Sequence, residues 1–208
     1  MKRIALILII IITSAYQGLI FSQNLDIDLL MLINVERNRS FDGTFKLITN
    51  SAAPVSVAAP VILCGIGLIN HDSVTIRNSL SIGSSIAITV IFTTIAKYAF
   101  DRPRPFETYT FIEKETSGGS PSFPSGHTSE AFALATSVSL NYPKWYVIGP
   151  SFLWAGAVGY SRMDLGVHYP SDVLAGAVLG SACAWITFKV NKSLNGKQVS
   201  HRNMTSYK

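Results

Sequence analysis

The chain has 208 residues, 48% of them hydrophobic and 14% charged, with a formal net charge of +5. Water-soluble domains carry about 25% charged residues, so this composition argues against an ordinary solvated surface and for a membrane protein, as does the mean hydropathy of +0.33. The two cysteines, Cys64 and Cys183, lie in apolar runs and exclude a disulfide framework. No repeat of 20–50 residues occurs.

Met1-Lys2-Arg3 precedes an apolar run from Ile4, with small residues Ser14, Ala15, Gly18 and Ser22 behind it. Residues 1–22 therefore read as a signal peptide or a first transmembrane helix. Leu25, Leu29, Leu32 and Ile33 share one helical face, which predicts a short interfacial helix. A long apolar segment, about 45–69, contains Pro54 and Pro60 and predicts a kinked span. His71 lies in a loop and reads as solvated. Further apolar segments run about 80–96, 128–140, 147–160 and 173–190. The fourth of the six, at 128–140, is short for a full span. The expected architecture is all-α: a polytopic membrane bundle of about six transmembrane helices. The membrane-embedded domain covers 24–192, and 193–208 is a polar cytoplasmic tail.

Charge placement orients this layout. With Met1 inside and one crossing per segment, the inner side carries nine Lys/Arg against one acid, Asp72. The outer side carries eight bases and eleven acids. Positive residues favour the cytoplasmic side, so 98–127 and 161–172 are expected outside, facing the periplasm or exterior of a bacterial envelope. A soluble helical protein with buried helices is the alternative.

Three polar groups then meet at external segment ends. Phe123-Pro124-Ser125-Gly126-His127-Thr128 puts a Pro/Gly turn before an apolar segment. A helix starting there presents free N–H groups and a positive dipole end to an anion. Ser125 adds a hydroxyl and His127 a proton carrier. Lys97 and Arg104 belong to a second group at 97–105, and Arg162 to a third at 161–172. Together they form a cationic cradle suited to a phosphoryl group. His168 and Asp172, four apart, share a helical face, so the carboxylate can fix the imidazole tautomer and leave the other nitrogen as a nucleophile. Asp101 and Arg102 are expected to pair at the surface. Glu130 sits one turn beyond His127, either tuning it or pointing to water, and Asp164 reads as a loop cap. Tyr109, Phe111 and Phe106 read as interfacial aromatics.

These residues resemble the type-2 phosphatidate phosphatase family. Lys97 to Arg104-Pro105 matches its K-x6-R-P signature, Pro124-Ser125-Gly126-His127 its P-S-G-H, and Ser161-Arg162 through His168 to Asp172 its S-R-x5-H-x3-D. The ordered triple spans 97–172. The resemblance implies a metal-independent, cofactor-free phosphatase in which His168 forms a phosphohistidine and Asp172 orients it. Lys97, Arg104, Ser125, Gly126 and Arg162 would bind phosphate, while His127 serves as acid and base. The implied partners are phosphorylated lipids and the surrounding membrane lipids, with no nucleic acid. Undecaprenyl pyrophosphate, phosphatidylglycerophosphate, phosphatidate and lipid A phosphates are the implied substrates, the first favoured by small size and an external site. The rivals are a secreted acid phosphatase or vanadium haloperoxidase of the wider superfamily, and a non-enzymatic lipid-phosphate binder or transporter. The loop 106–122 is where a gate for lipid access is expected.

Overall fold

The computed structural model describes residues 25–205 apart from Ser120. The expected leader or first helix at 1–22 lies outside the described residues. All regular structure described is helical. Helix α1 covers 25–34, and a 3-10 turn (Arg39–Phe41) leads into α2 (Asp42–Asn50), α3 (Ala52–Ile69), α4 (Ser73–Phe100) and the single turn α5 (Pro105–Thr108). Helices α6 (Gly126–Asn141), α7 (Trp145–Asp164) and α8 (Pro170–Thr205) follow. Three stretches are long and apolar enough to cross a membrane: Arg39–Ile69, Ser73–Thr108 and Pro170–Leu194.

The helix ends follow local chemistry. The apolar segment at 45–69 breaks at Ser51 because Pro54, which lacks an N–H, is tolerated in the first turn of α3. Pro60 lies inside that helix. Asp72 caps α4, accepting from the Val74 amide at 2.8 Å. Asp101, in the left-handed region at φ 42°, ends α4, and Pro103 and Pro105 follow. Helix α8 runs past the expected end of its apolar segment to Thr205.

Helix α6 is the centre of the bundle, packing most extensively on α8 and then on α7 and α4. The close approach comes from small residues. A Cβ on Gly180 would lie 2.1 Å from the Ser129 carbonyl oxygen, and one on Gly176 would lie 2.7 Å from that of Ser125. On α4, Ser81, Ser85, Thr89, Thr93 and Lys97 recur every four residues and are all buried. Ser85 and Thr89 return their hydroxyls to their own helix, at Ile82 and Ser85 carbonyls. By contrast Leu47, Val57, Ile62, Leu80, Ile91, Ile95, Leu153 and Leu174 are exposed. Small polar residues inside and large apolar ones outside suit a lipid surround, where helices associate by close packing rather than by hiding apolar surface from water.

Helix α1 shows the same inversion. Its Leu25, Leu29 and Leu32 point outward, while Asp26, Leu30 and Asn34 are buried. Asn34 donates to the Asp164 carbonyl at 2.7 Å and the Glu113 carbonyl at 3.0 Å, and accepts from the Glu113 amide at 2.9 Å. Leu30 packs with Ile112 and Tyr169, and Phe106 and Tyr109 close over them. The 109–116 loop is thus strapped to α1, with Lys46 bonded to Glu115 and Arg37 to Glu113 as further ties.

Candidate active site

A cavity of about 210 Å3 opens where α4, α6 and α7 end on one face of the bundle. Lys97, Arg104, Ser117, Gly118, Gly119, Gly126, His127, Arg162 and His168 line it. Six of the eight residues proposed from sequence are therefore together at this cavity. Asp172 sits behind His168, and Ser125 lies outside the lining.

The α6 start supplies the neutral donors. The first N–H bonded back into the turn is that of Ser129, to the Ser125 carbonyl at 2.9 Å. The amides of Gly126, His127 and Thr128 precede that turn closure and face the anion-favouring end of the helix. Ser125 is fully buried, its Oγ accepts from Thr128 at 2.8 Å, and its N–H donates to the Asp172 carbonyl at 3.0 Å. Its observed role is to join the start of α6 to the start of α8.

Among the described residues, these cations donate to backbone oxygens and a hydroxyl. Lys97 Nζ donates to the Pro121 carbonyl at 2.6 Å. Arg104 Nη1 donates to the Val167 carbonyl at 2.7 Å and lies 3.3 Å from His168 Nε2. Arg162 reaches Thr49 Oγ1 at 2.8 Å and the Ser117 carbonyl at 3.1 Å, and its buried Nε has no partner among the described residues. These neutral partners place the side chains around the cavity.

His168 is buried, with Nδ1 3.4 Å from Asp172 Oδ2 and Nε2 toward Arg104 and the cavity. The Asp172 contact is longer than an ordinary hydrogen bond, as is common before a ligand tightens a site. Burial, with the Arg162 and Arg104 charges, lowers the His168 proton affinity despite Asp172. The ring is neutral at pH 7 and keeps a lone pair. Burial, then the charges of Arg162, Arg104 and Lys97, lowers His127 to about 4. Both histidines lie outside the three candidate spans.

Four further residues had no obvious sequence signal for a role here. Gly118 lies against Arg104, so that a Cβ there would meet the guanidinium at 2.8 Å. Its Gly-Gly neighbourhood marked a flexible loop but not this contact. Ser117 offers a carbonyl to Arg162. Ser122 is buried and donates to Asp172 Oδ2. Arg102 does not pair with Asp101; it reaches Asp172 and Asp26. His71 is exposed in its loop, and no side-chain partner ties Glu130 to His127.

A fold of packed helices around a buried, cation-lined histidine site defines a phosphoryl-handling membrane protein. The comparisons make the class specific. The family model for the PAP2 superfamily matches residues 78–195. The chain is 31% identical over 191 residues to an undecaprenyl-diphosphatase of Sulfolobus acidocaldarius, covering 88% of this chain and 86% of that protein. It is 29% identical to a lipid A 4'-phosphatase of Bacteroides thetaiotaomicron over 54% of this chain and 55% of that one. Among solved structures, Aquifex aeolicus LpxE superposes with a TM-score of 0.67 at 28% identity, covering 79% and 95% of the two chains. A transmembrane PAP2-type phosphatidylglycerolphosphate phosphatase from Bacillus subtilis shares the fold, with a TM-score of 0.65 at 23% identity over 85% and 87%. The chain belongs to the PAP2 superfamily. It is an integral membrane lipid-phosphate phosphatase of that superfamily, whose enzymes work without a metal.

Proposed function

We propose that this enzyme removes phosphate from a membrane lipid through a phosphohistidine on His168, with an isoprenoid diphosphate, undecaprenyl pyrophosphate, as the first substrate to test. The observation that carries the reading is the orientation of His168: Nδ1 toward Asp172 and Nε2 toward the cavity beside Arg104. Nε2 attacks phosphorus as the bond to the leaving oxygen breaks. Asp172 accepts from Nδ1–H and stabilises the imidazolium character that develops. Lys97, Arg104, Arg162 and the Gly126 and His127 amides hold the phosphoryl oxygens. The unpartnered Nε–H of Arg162 is donor capacity for such an anion. Positioned arginine charge contributes on the order of 10³-fold or more in phosphoryl transfer.

His127 protonates the leaving oxygen. As a base it then takes a proton from the water that attacks the phosphohistidine, releasing inorganic phosphate and restoring His168. Such acid–base help is worth roughly 10²–10⁴-fold. The charge asymmetry of the loops supports a site facing the periplasm or exterior. The similarity to an undecaprenyl-diphosphatase over most of both chains supports the substrate.

The test is phosphate release in detergent, without added metal, from undecaprenyl pyrophosphate, phosphatidylglycerophosphate, phosphatidate and lipid A phosphates, by wild type and His168→Ala. Turnover of at least one lipid by the wild type and none by His168→Ala is expected. Activity on sugar phosphates with none on any lipid would overturn the lipid substrate.

A further inference from the structure

Asp172 is fully buried, and both of its carboxylate oxygens are engaged. Oδ2 accepts from the Tyr169 amide at 2.9 Å and from the Ser122 hydroxyl, and faces His168 Nδ1. Oδ1 accepts from Arg102 Nη1 at 2.7 Å. The angle at which Oδ2 meets the imidazole is therefore set from the opposite side of the carboxylate, by the guanidinium of Arg102.

That guanidinium is itself fixed on several sides. Its Nη2 donates to Asp26 Oδ2 at 2.8 Å, its Nη1 also reaches Ser171 Oγ at 2.7 Å, and its Cζ lies over the Tyr169 ring, 3.9 Å from the centroid. Asp26 in turn holds the first turn of α8, accepting the Ser171 amide at 2.8 Å through Oδ1 and the Ser171 hydroxyl through Oδ2. The chain of contacts runs Asp26, Arg102, Asp172, His168, and joins α1, the α4–α5 link and α8. Neither Asp26 nor Arg102 lines the cavity.

We propose that Asp26 and Arg102 are positioning residues for this reaction, acting on His168 through the carboxylate of Asp172. The proposal rests on the reading of His168 as nucleophile. Placement errors of about 1 Å at a reacting group can cost on the order of 10²-fold in rate, whereas neither residue lines the cavity in which the phosphate is proposed to bind. The effect therefore falls on kcat and leaves KM unchanged.

The experiment measures kcat and KM for the lipid that the wild type turns over best, with His168→Ala and melting midpoints alongside. Arg102→Gln is expected to lower kcat by roughly 10–100-fold with KM within about twofold. Arg102→Lys restores part of the loss, because it keeps the charge but not the fork. Asp26→Asn, which keeps an acceptor for the Ser171 amide, lowers kcat by about 3–10-fold by the same placement argument. The double variant Asp26→Asn/Arg102→Gln is no slower than Arg102→Gln alone, because Asp26→Asn keeps the Ser171 amide bond and gives up what Asp26 does through Arg102. Losses that multiply, a KM rise at constant kcat, or full kcat in Asp26→Asn and Arg102→Gln while His168→Ala is inactive would each overturn the proposal. An active His168→Ala enzyme would instead overturn the nucleophile assignment, and this proposal with it. If Arg102→Gln fails to fold, Asp26→Asn and Arg102→Lys carry the test by the same split between kcat and KM.

Discussion

His127 poses a protonation problem that its surroundings explain. With proton affinity lowered to about 4 by burial and three neighbouring cations, it is neutral at pH 7 and cannot donate a proton. A phosphate anion placed among Lys97, Arg104 and Arg162 cancels much of that positive field and raises the proton affinity of the ring. In the proposed mechanism the acid is thus charged only when substrate is bound, and once it has given its proton to the leaving oxygen the neutral ring serves as the base for the water that attacks the phosphohistidine. This predicts how His127→Ala depends on the leaving group. Against a lipid alkyl phosphate, the variant loses roughly 10²–10⁴-fold, the usual worth of a positioned acid–base group. Against an aryl phosphate, whose leaving oxygen needs no proton, phosphorylation of His168 survives and the phosphoenzyme accumulates, because water lacks its base. Rapid-quench trapping of the phosphohistidine with both substrates checks this, and equal losses would contradict the acid role.

At the level of helices, the site depends on how closely α6 and α8 approach. Gly176 and Gly180 let the start of α8, carrying Asp172, lie against the start of α6, carrying His127. The atoms a Cβ at Gly180 would meet are backbone, the Ser129 carbonyl and the Ala133 nitrogen, so no side chain can move aside. Gly180→Ala is expected to force the helices apart, costing about 1–3 kcal/mol and lowering kcat with it. Gly156 on α7 has nothing within 4 Å of its Cβ position, so Gly156→Ala should be neutral or stabilise by up to about 1 kcal/mol. Melting midpoints of the two variants in one detergent provide the comparison. Gly176 and Gly180 were not singled out from the sequence, because a small-xxx-small spacing does not identify its partner helix. The reverse holds for the motifs at 97–105, 124–127 and 161–172. Each sits at the end of an apolar run, so their convergence was legible from segment ends alone. The engagement of Ser125 with Thr128 and of Ser122 with Asp172 was not, because hydroxyl partners are decided by packing distances that a sequence does not carry.

For the molecule as a whole, the apolar exterior and hydroxyl-rich interior make lipid the natural surround. That apolar exterior predicts that membranes washed with carbonate retain the protein, and the charge asymmetry of the loops sets which face lies outside. In a cysteine-free background, a thiol at Phe111 should then react with an impermeant reagent from outside, and one at Trp145 only after the membrane is opened; both positions are exposed. The opposite labelling pattern would invert the orientation. Helix type and rough extent were readable from the apolar runs and their Pro, Asp and Asn punctuation. The facing of α1 was not. Its leucines were expected to mark the side resting at the interface and do point outward, but the importance lies on the other side, in Asp26 and Asn34. A polar residue on a short helix has no sequence signal that separates solvent from a partner 76 positions away, as Arg102 is from Asp26.

The family match begins at residue 78, and every cavity-lining side chain lies within it. The hydroxyl that seats Arg162 belongs to Thr49, and the carboxylate that seats Arg102 belongs to Asp26. A transplant of 78–195 onto a foreign scaffold would therefore carry all the reactive groups and leave behind two of the anchors that aim them.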